Sequence, residues 1–257
     1  MQRAVRTSGA LVSFVLGLSA AHAADDFPHR AEFPDVKTIS TEELAAQYDR
    51  DIIIDVRSDF EYDVIHINKA VNLPLARADF LDTVAKVRPR NDKTPLVFYC
   101  NGHTCKKSYE AAQATKQGGF TNVYAYDSGI FGWVHAHPAK GTLLGKTPAD
   151  PTLLISKEKL QAHTLVYAEF AKKAELANAW VIDLREPMQR EKVAAFANVR
   201  NFYGAGLHKR IDGGAFKDKL PLFFDAVGKQ VQWLQYHLEE AGIHEYYFLD
   251  GGATSLP

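Results

Sequence analysis

The stretch Pro95-Leu96-Val97-Phe98-Tyr99-Cys100-Asn101-Gly102-His103-Thr104-Cys105-Lys106-Lys107-Ser108 decides how this chain is read. Its first residues are a short apolar run bounded by polar sequence, the pattern of a strand buried on both faces. A polar loop containing Gly102 follows, and Lys107 to Gln117 reads as a helix closed by Gly118-Gly119. Strand, loop and helix in that order put Cys100 at the carboxyl end of a strand, the edge where open α/β sheets form ligand sites.

The flanking sequence extends the pattern. Asp51-Ile52-Ile53-Ile54-Asp55-Val56-Arg57 is a second buried-strand run ending in charge, and Val123-Tyr124-Ala125-Tyr126 is a third. Upstream, Ser40 and Glu43 have capping-box spacing before a helical run to Tyr48. After Arg57 a polar loop returns through Ala70-Val71-Asn72-Leu73-Pro74. Strands alternating with helices predict an α/β fold with a parallel sheet.

The same order returns in the second half. Ile155-Ser156-Lys157-Glu158-Lys159-Leu160 repeats residues 39–44, and Trp180-Val181-Ile182-Asp183-Leu184-Arg185 repeats the strand ending Asp55-Val56-Arg57. Pro221-Leu222-Phe223-Phe224 answers Leu96 to Tyr99, and Tyr246-Tyr247-Phe248-Leu249-Asp250-Gly251-Gly252 answers Val123 to Gly129. Two α/β domains are expected, each a small parallel sheet flanked by helices: residues 36–138 and 153–257, joined by a linker over 139–152 containing Gly141, Gly145 and Pro148.

The 257 residues, 46% hydrophobic and 24% charged, have an ordinary globular composition. A net charge of −1 gives no support to a nucleic-acid or membrane-surface partner, which needs a strong basic field. Residues 1–23 stand apart: Arg3 and Arg6 precede an apolar run from Ala10 to Ala20, then Ala21-His22-Ala23. This reads as a cleaved signal peptide and predicts a periplasmic or secreted protein. The apolar run is shorter than the roughly 20 residues of a spanning helix, and no later segment is expected to cross a membrane.

Of the two cysteines, Cys100 leads out of the strand and Cys105 precedes the helix. In an exported chain the pair suggests a disulfide. A bridge over so short a loop constrains the unfolded chain little, so chemistry explains the pair better than stapling. A loop entering a helix here aims backbone N–H groups inward, and the helix N-terminus adds partial positive charge. With Lys106 and Lys107 beside it, the loop is a setting that lowers a thiol pKa from about 8.5 and supplies a thiolate.

These residues resemble the rhodanese superfamily. The resemblance spans roughly residues 36–138 and rests on Asp55, Val56, Arg57, Glu61, His66, Ile67, Ala70, Asn72, Pro74, Cys100, Ser108, Gly129 and Trp133. Ile65, Asn68 and Lys69 depart from the family pattern, the active loop is about two residues longer, and Lys106 or Lys107 stands for its usual arginine. A lysine is a point charge without a bidentate fork, so an oxyanion is held more loosely.

The resemblance implies a sulfurtransferase. The Cys100 thiolate takes sulfane sulfur from thiosulfate or a polysulfide as a persulfide and passes it to a thiol or cyanide acceptor, without a cofactor. Asn101, Gly102, His103, Thr104, Lys106 and Lys107 are the expected binders of the anionic donor, and Asp55 and Arg57 the expected support beneath the loop. Cys105 is read either as a resolving thiol that attacks the persulfide or closes a disulfide, or as a small side chain filling the loop base.

His66 reads as a satisfied turn or core residue, and His135 and His137 lack metal-ligand spacing, so no metal is expected. Asp225 falls where Cys100 sits in the first half, Gly228 keeps a glycine in the loop, and Gln230 replaces the cation. The second domain is therefore expected to be degenerate, covering one side of the first domain's site or contacting a protein partner. Two other functions remain open: a thiol redox protein using Cys100 and Cys105, and a non-catalytic binding module of the same fold. Phosphatase chemistry is disfavoured because the loop lacks a phosphate-binding arginine.

Overall fold

The computed structural model describes residues 27–190, 193, 196–202 and 205–257. The expected signal peptide lies outside them, and among the described residues no helix is long and apolar enough to cross a membrane.

The first domain runs β1 (Lys37–Thr38), α1 (Thr41–Ala46), β2 (Ile52–Asp55), α2 (Asp59–Val64), β3 (Ile65–Ile67), β4 (Val71–Asn72), α3 (Phe80–Val87), β5 (Leu96–Tyr99), α4 (Lys107–Gln117), β6 (Val123–Tyr126), α5 (Gly129–Ala136) and β7 (Gly141–Leu143). The second runs α6 (Lys157–Ala162), β8 (Thr164–Leu165), α7 (Tyr167–Ala174), β9 (Ala179–Asp183), β10 (Arg200–Asn201), α8 (Ala205–Asp212), β11 (Leu220–Phe224), α9 (Val231–Glu240) and β12 (Tyr247–Leu249). Capping boxes start α1 and α2: Ser40 and Ser58 each accept a backbone N–H from a glutamate three residues on, which returns the bond.

Each domain holds a five-stranded sheet, β1-β6-β5-β2-β4 in the first and β8-β12-β11-β9-β10 in the second, with every pairing parallel. Strand for strand the orders are the same, so the repeat is one of topology. It also corrects the sequence alignment at one point. The counterpart of α1 is α7, which follows edge strand β8 as α1 follows β1, whereas α6 precedes β8 and has no helical counterpart of the α type among the described residues. Ser156 does cap α6, its Oγ accepting from Lys159 N–H at 3.1 Å. A cap marks where a helix starts and carries no information about which helix it is. The expected linker is also partly structure, because β7 pairs antiparallel with β3.

Side-chain alternation along β5 aims the site. Leu96 and Phe98, with Cys100 beyond them, lie in the core layer built with α3 and α4, while Val97 and Tyr99 lie in the layer built with α1, α2 and α5. Trp233 and Tyr236 of α9 belong to that second layer, so the second domain completes the first domain's core. Trp233 stacks on Phe131, and the Tyr236 hydroxyl accepts from Ile155 N–H at 3.1 Å.

Phe60 of α2 is the reciprocal anchor, stacked on His208 at 5.5 Å and His237 at 5.8 Å. Burial, then the His208 charge, pushes His237 down to about 4. A buried imidazole that resists protonation lets the unfolded chain bind the extra proton, so stability falls with pH between about 6.5 and 4. The loss expected is on the order of 3 kcal/mol. Urea unfolding across this window should show a shallower loss in His237→Phe, which stacks on Phe60 without titrating. Equal slopes in both proteins would remove His237 as the cause.

Candidate functional site

The floor of the site is a buried ion pair. Arg57 donates from Nε to Asp55 Oδ1 at 2.9 Å and from Nη2 to Asp55 Oδ2 at 2.5 Å, and the Arg57 backbone N–H also meets Oδ1 at 2.9 Å. Both side chains are wholly buried. Burial disfavours the cation, but the Asp55 charge and hydrogen bonds outweigh it and hold the guanidinium above its ordinary pKa. The remaining donors reach Ile65 O at 2.6 Å and Asn101 Oδ1 at 3.3 Å, and the guanidinium lies 5.5 Å from the Trp233 ring.

Above this floor the loop turns from β5 into α4. Cys100 is 1% exposed, with its Sγ 3.9 Å from Ser108 Oγ in the first turn of α4, so the sulfur lies beneath the positive end of the helix. Cys100 and Cys105 are joined in a disulfide with Cα atoms 6.4 Å apart. Cys105 N–H donates to Gly102 O at 2.8 Å, closing the turn between them.

Not every expected donor-binding residue faces the sulfur. Asn101 is turned down, accepting from Arg57 and donating from Nδ2 to Glu61 Oε1 at 3.2 Å, so its side chain ties loop to floor. Lys106 pairs with Glu110 at 3.3 Å along the exposed side of α4, while Lys107 is exposed at the helix start. His103 is exposed and meets the Phe27 ring at 4.6 Å. The Thr104 carbonyl accepts from His29 Nε2 at 3.2 Å. His66 lies away in β3, stacked on Tyr62 and bonded through Nδ1 to the Tyr62 carbonyl at 2.8 Å. No group of three or more metal-ligating side chains occurs among the described residues.

Residues that the sequence reading did not single out hold the loop from outside. The turn at 28–31 lies across it through Phe27 and His29, and Arg30 anchors that turn on Asp127, with Nε 2.7 Å from Oδ2. Tyr109 donates to the same carboxylate at 2.5 Å, and burial followed by this bond raises its pKa. His29 also meets Glu32 at 2.6 Å, which raises the imidazole pKa and favours the form that donates from both nitrogens. Asp127 could have been found by position, since it directly follows β6 at the same sheet edge as Cys100.

Gly129 seals the inside. At φ +60 it approaches so closely that a Cβ would stand 2.4 Å from Gly102 N and 2.6 Å from Cys100 O. Ile130 N–H then donates to Cys100 O at 2.9 Å.

A family model described as a rhodanese-like domain matches residues 40–136. The uncharacterized protein YqhL of Bacillus subtilis is 34% identical over 98 residues, which cover 38% of this chain and 72% of YqhL. The chain belongs to the rhodanese-like family. Among similar solved structures, a thiosulfate sulfurtransferase from Pseudomonas aeruginosa is 22% identical, covering 89% of this chain and 45% of its own, with a TM-score of 0.39. A human single-domain sulfurtransferase is 23% identical, covering 39% of this chain and 96% of its own, with a TM-score of 0.34.

The sheet of the second domain repeats the frame with another occupant. Arg185 forks Asp183 at 2.9 Å through both Nε and Nη2, and Gly252, at φ +56, crowds Asp225 O as Gly129 crowds Cys100 O. Where the first domain has a sulfur, the Asp225 carboxylate accepts from the backbone N–H groups of Val227 at 2.8 Å, Gln230 at 2.5 Å and Val231 at 3.2 Å, and from Gly228. The anion cradle is formed and filled by the loop's own side chain. A cavity of about 200 Å³ beside it is lined by Phe60, Leu184, Glu186, Gln189, Gln230 and neighbouring leucines.

The matched glycines give a paired expectation. Gly129→Ala and Gly252→Ala each lose about 1–3 kcal/mol from strain and the close backbone approach, but only Gly129→Ala shifts the Cys100 loop. Thermal unfolding, with the alkylation rate of the reduced thiols, checks this. An unchanged alkylation rate in Gly129→Ala would count against the sealing role.

Proposed function

We propose that this chain is a sulfurtransferase that carries sulfane sulfur as a persulfide on Cys100. The observation that carries the reading is the position of the Cys100 sulfur: at the carboxyl end of β5, beneath the start of α4, in a loop fixed by Arg57 below and Gly129 behind. In the reduced protein a thiol there is driven towards thiolate by the helix end and the loop amides. The thiolate attacks the outer sulfur of thiosulfate, sulfite leaves with the electron pair of the broken S–S bond, and the negative persulfide stays under the same amides. A polysulfide donor reacts in the same way, with a shorter polysulfide leaving.

The cradle around Asp225 supports this role for the first loop. The homologous backbone of the second domain gathers four N–H groups around one negative side chain. A persulfide anion on Cys100 is the corresponding occupant in the first domain. Lys107, exposed at the helix start, is the cation we assign to an anionic donor, since among the described residues Lys106 is paired with Glu110. Export through residues 1–23 would place this chemistry in an oxidising compartment, where the Cys100–Cys105 disulfide is stable and must be reduced before Cys100 can act.

Cys100→Ser should lower thiosulfate-dependent thiocyanate formation by the pre-reduced protein at least about a thousandfold, with an unchanged circular dichroism spectrum. Undiminished turnover in that variant would overturn the proposal.

A further inference from the structure

We infer that Cys105 resolves the Cys100 persulfide within the loop, so that the chain releases the transferred sulfur as hydrogen sulfide and is left in the disulfide form. This rests on the sulfurtransferase reading above and adds an activity to it: reduction of sulfane sulfur at the expense of a dithiol.

Three observations carry it. First, the loop brings the Cys105 sulfur to bonding contact with that of Cys100 while both flanking elements, β5 and α4, keep regular geometry. The Cα separation of 6.4 Å falls within the ordinary range for a bridge, so resolution needs no unfolding of the loop. Second, the partner atom of Cys105 is Cys100 Sγ itself, the inner sulfur of the persulfide. Attack there makes the outer sulfur the leaving group, whereas attack on the outer sulfur would only move the persulfide to Cys105. Third, the two cysteines differ in access. Cys100 is 1% exposed in a core layer, and Cys105 is half-buried at the loop's outer end.

The chemistry balances in three steps. Cys100 thiolate takes sulfur from thiosulfate and sulfite leaves. The Cys105 thiol then gives its proton to the outer sulfur of the persulfide and, as thiolate, attacks Cys100 Sγ: a Cys105–Cys100 bond forms, the bond to the outer sulfur breaks, and that sulfur leaves as HS⁻ with the proton and the electron pair. Two cysteine sulfurs are oxidised by one electron each, and the sulfane sulfur is reduced by two. A partner dithiol, small or on a protein, then attacks the accessible Cys105 sulfur, expels Cys100 as thiolate, and is itself oxidised to a disulfide. The leaving thiolate is the one under the α4 N-terminus, and a lower-pKa thiol leaves faster. Each cycle therefore returns Cys100 in its nucleophilic form.

Proximity decides whether this competes with an external acceptor. A thiol already held against the reacting sulfur has an effective concentration far above that of free thiols. The loop is held in this shape from both sides, by Gly129 behind it and by Phe27 and His29 in front.

A single-turnover experiment tests the inference. The whole protein, reduced and freed of reductant, is mixed with thiosulfate, without cyanide or thiol. Sulfite and sulfide are measured and the intact mass recorded, beside Cys105→Ala and Cys105→Ser with circular dichroism spectra matching wild type. Wild type should give one equivalent each of sulfite and sulfide and end two hydrogens lighter, as the disulfide. The Cys105 variants should give sulfite without sulfide and keep one added sulfur on Cys100. Wild type that keeps the added sulfur and releases no sulfide would overturn the resolving step and leave the sulfurtransferase reading standing. Absence of both sulfite and added sulfur from all three proteins, with no added sulfur from a polysulfide either, would overturn that reading itself.

Discussion

The buried Arg57–Asp55 pair is the constraint on which the rest of the first domain depends. Taking both charges out of water costs several kcal/mol per ion, recovered only where geometry and further hydrogen bonds satisfy them. Here the fork is bidentate, and the donors left over reach the Ile65 carbonyl and Asn101. Removing either side chain of the pair strands a buried charge, and its bonds tie together the end of β2, the start of β3 and the first residue of the β5–α4 loop. Trp233 over the guanidinium extends that linkage into the second domain.

The second domain repeats the fork with Asp183 and Arg185, and the comparison separates frame from chemistry. Both loops leave the central strand at the same place, and both press their first carbonyl against a glycine with positive φ. In the second, Asp225 carries its own anion into the cradle and saturates the backbone donors. No free thiol or external anion can compete with a tethered carboxylate at that position. What the second domain supplies instead is α9: Trp233 and Tyr236 fill the layer beneath Tyr99, and Phe60 reaches back to stack on His208 and His237. The second domain meets the floor of the site through this packing and not through its loop.

Much of this was legible in the sequence because the signals are local. The run from Leu96 to Tyr99, the capping residues and the glycines after α4 fix strand, helix and loop, and the position of Cys100 follows from their order. Strand alternation, which turns Cys100 towards α4 and Tyr99 towards α5, is also local. What escaped the sequence depends on contacts between distant segments. A Ser cap looks the same before α6 as before α1, so only the strand order revealed which helix was the repeat. The pairing of β7 with β3, hidden in a Gly- and Pro-containing segment, and the contact of Phe27 and His29 with the loop join residues many positions apart. Asn101 was legible as a loop residue, but its turn towards Arg57 and Glu61 was not, because the acceptors lie on other elements.

The disulfide joins these arguments, because its position is hard to explain as reinforcement. Closing so short a loop removes only about 2 kcal/mol of unfolded-state entropy, in a segment already held by Gly129, the Arg57 floor and the turn from Phe27. A staple earns more by joining distant segments, such as the two domains, which are instead joined by aromatic packing. The bridge also consumes the sulfur placed beneath α4, so Cys100 has no thiolate for as long as it lasts. A bond that adds little to stability and occupies the Cys100 sulfur fits the proposed cycle as one of its stages, formed as sulfur leaves and broken when a dithiol arrives. In the proposed cycle, Gly129, the Arg57 floor and Phe27 hold the backbone of the loop, so the exchange proceeds by movement of side chains.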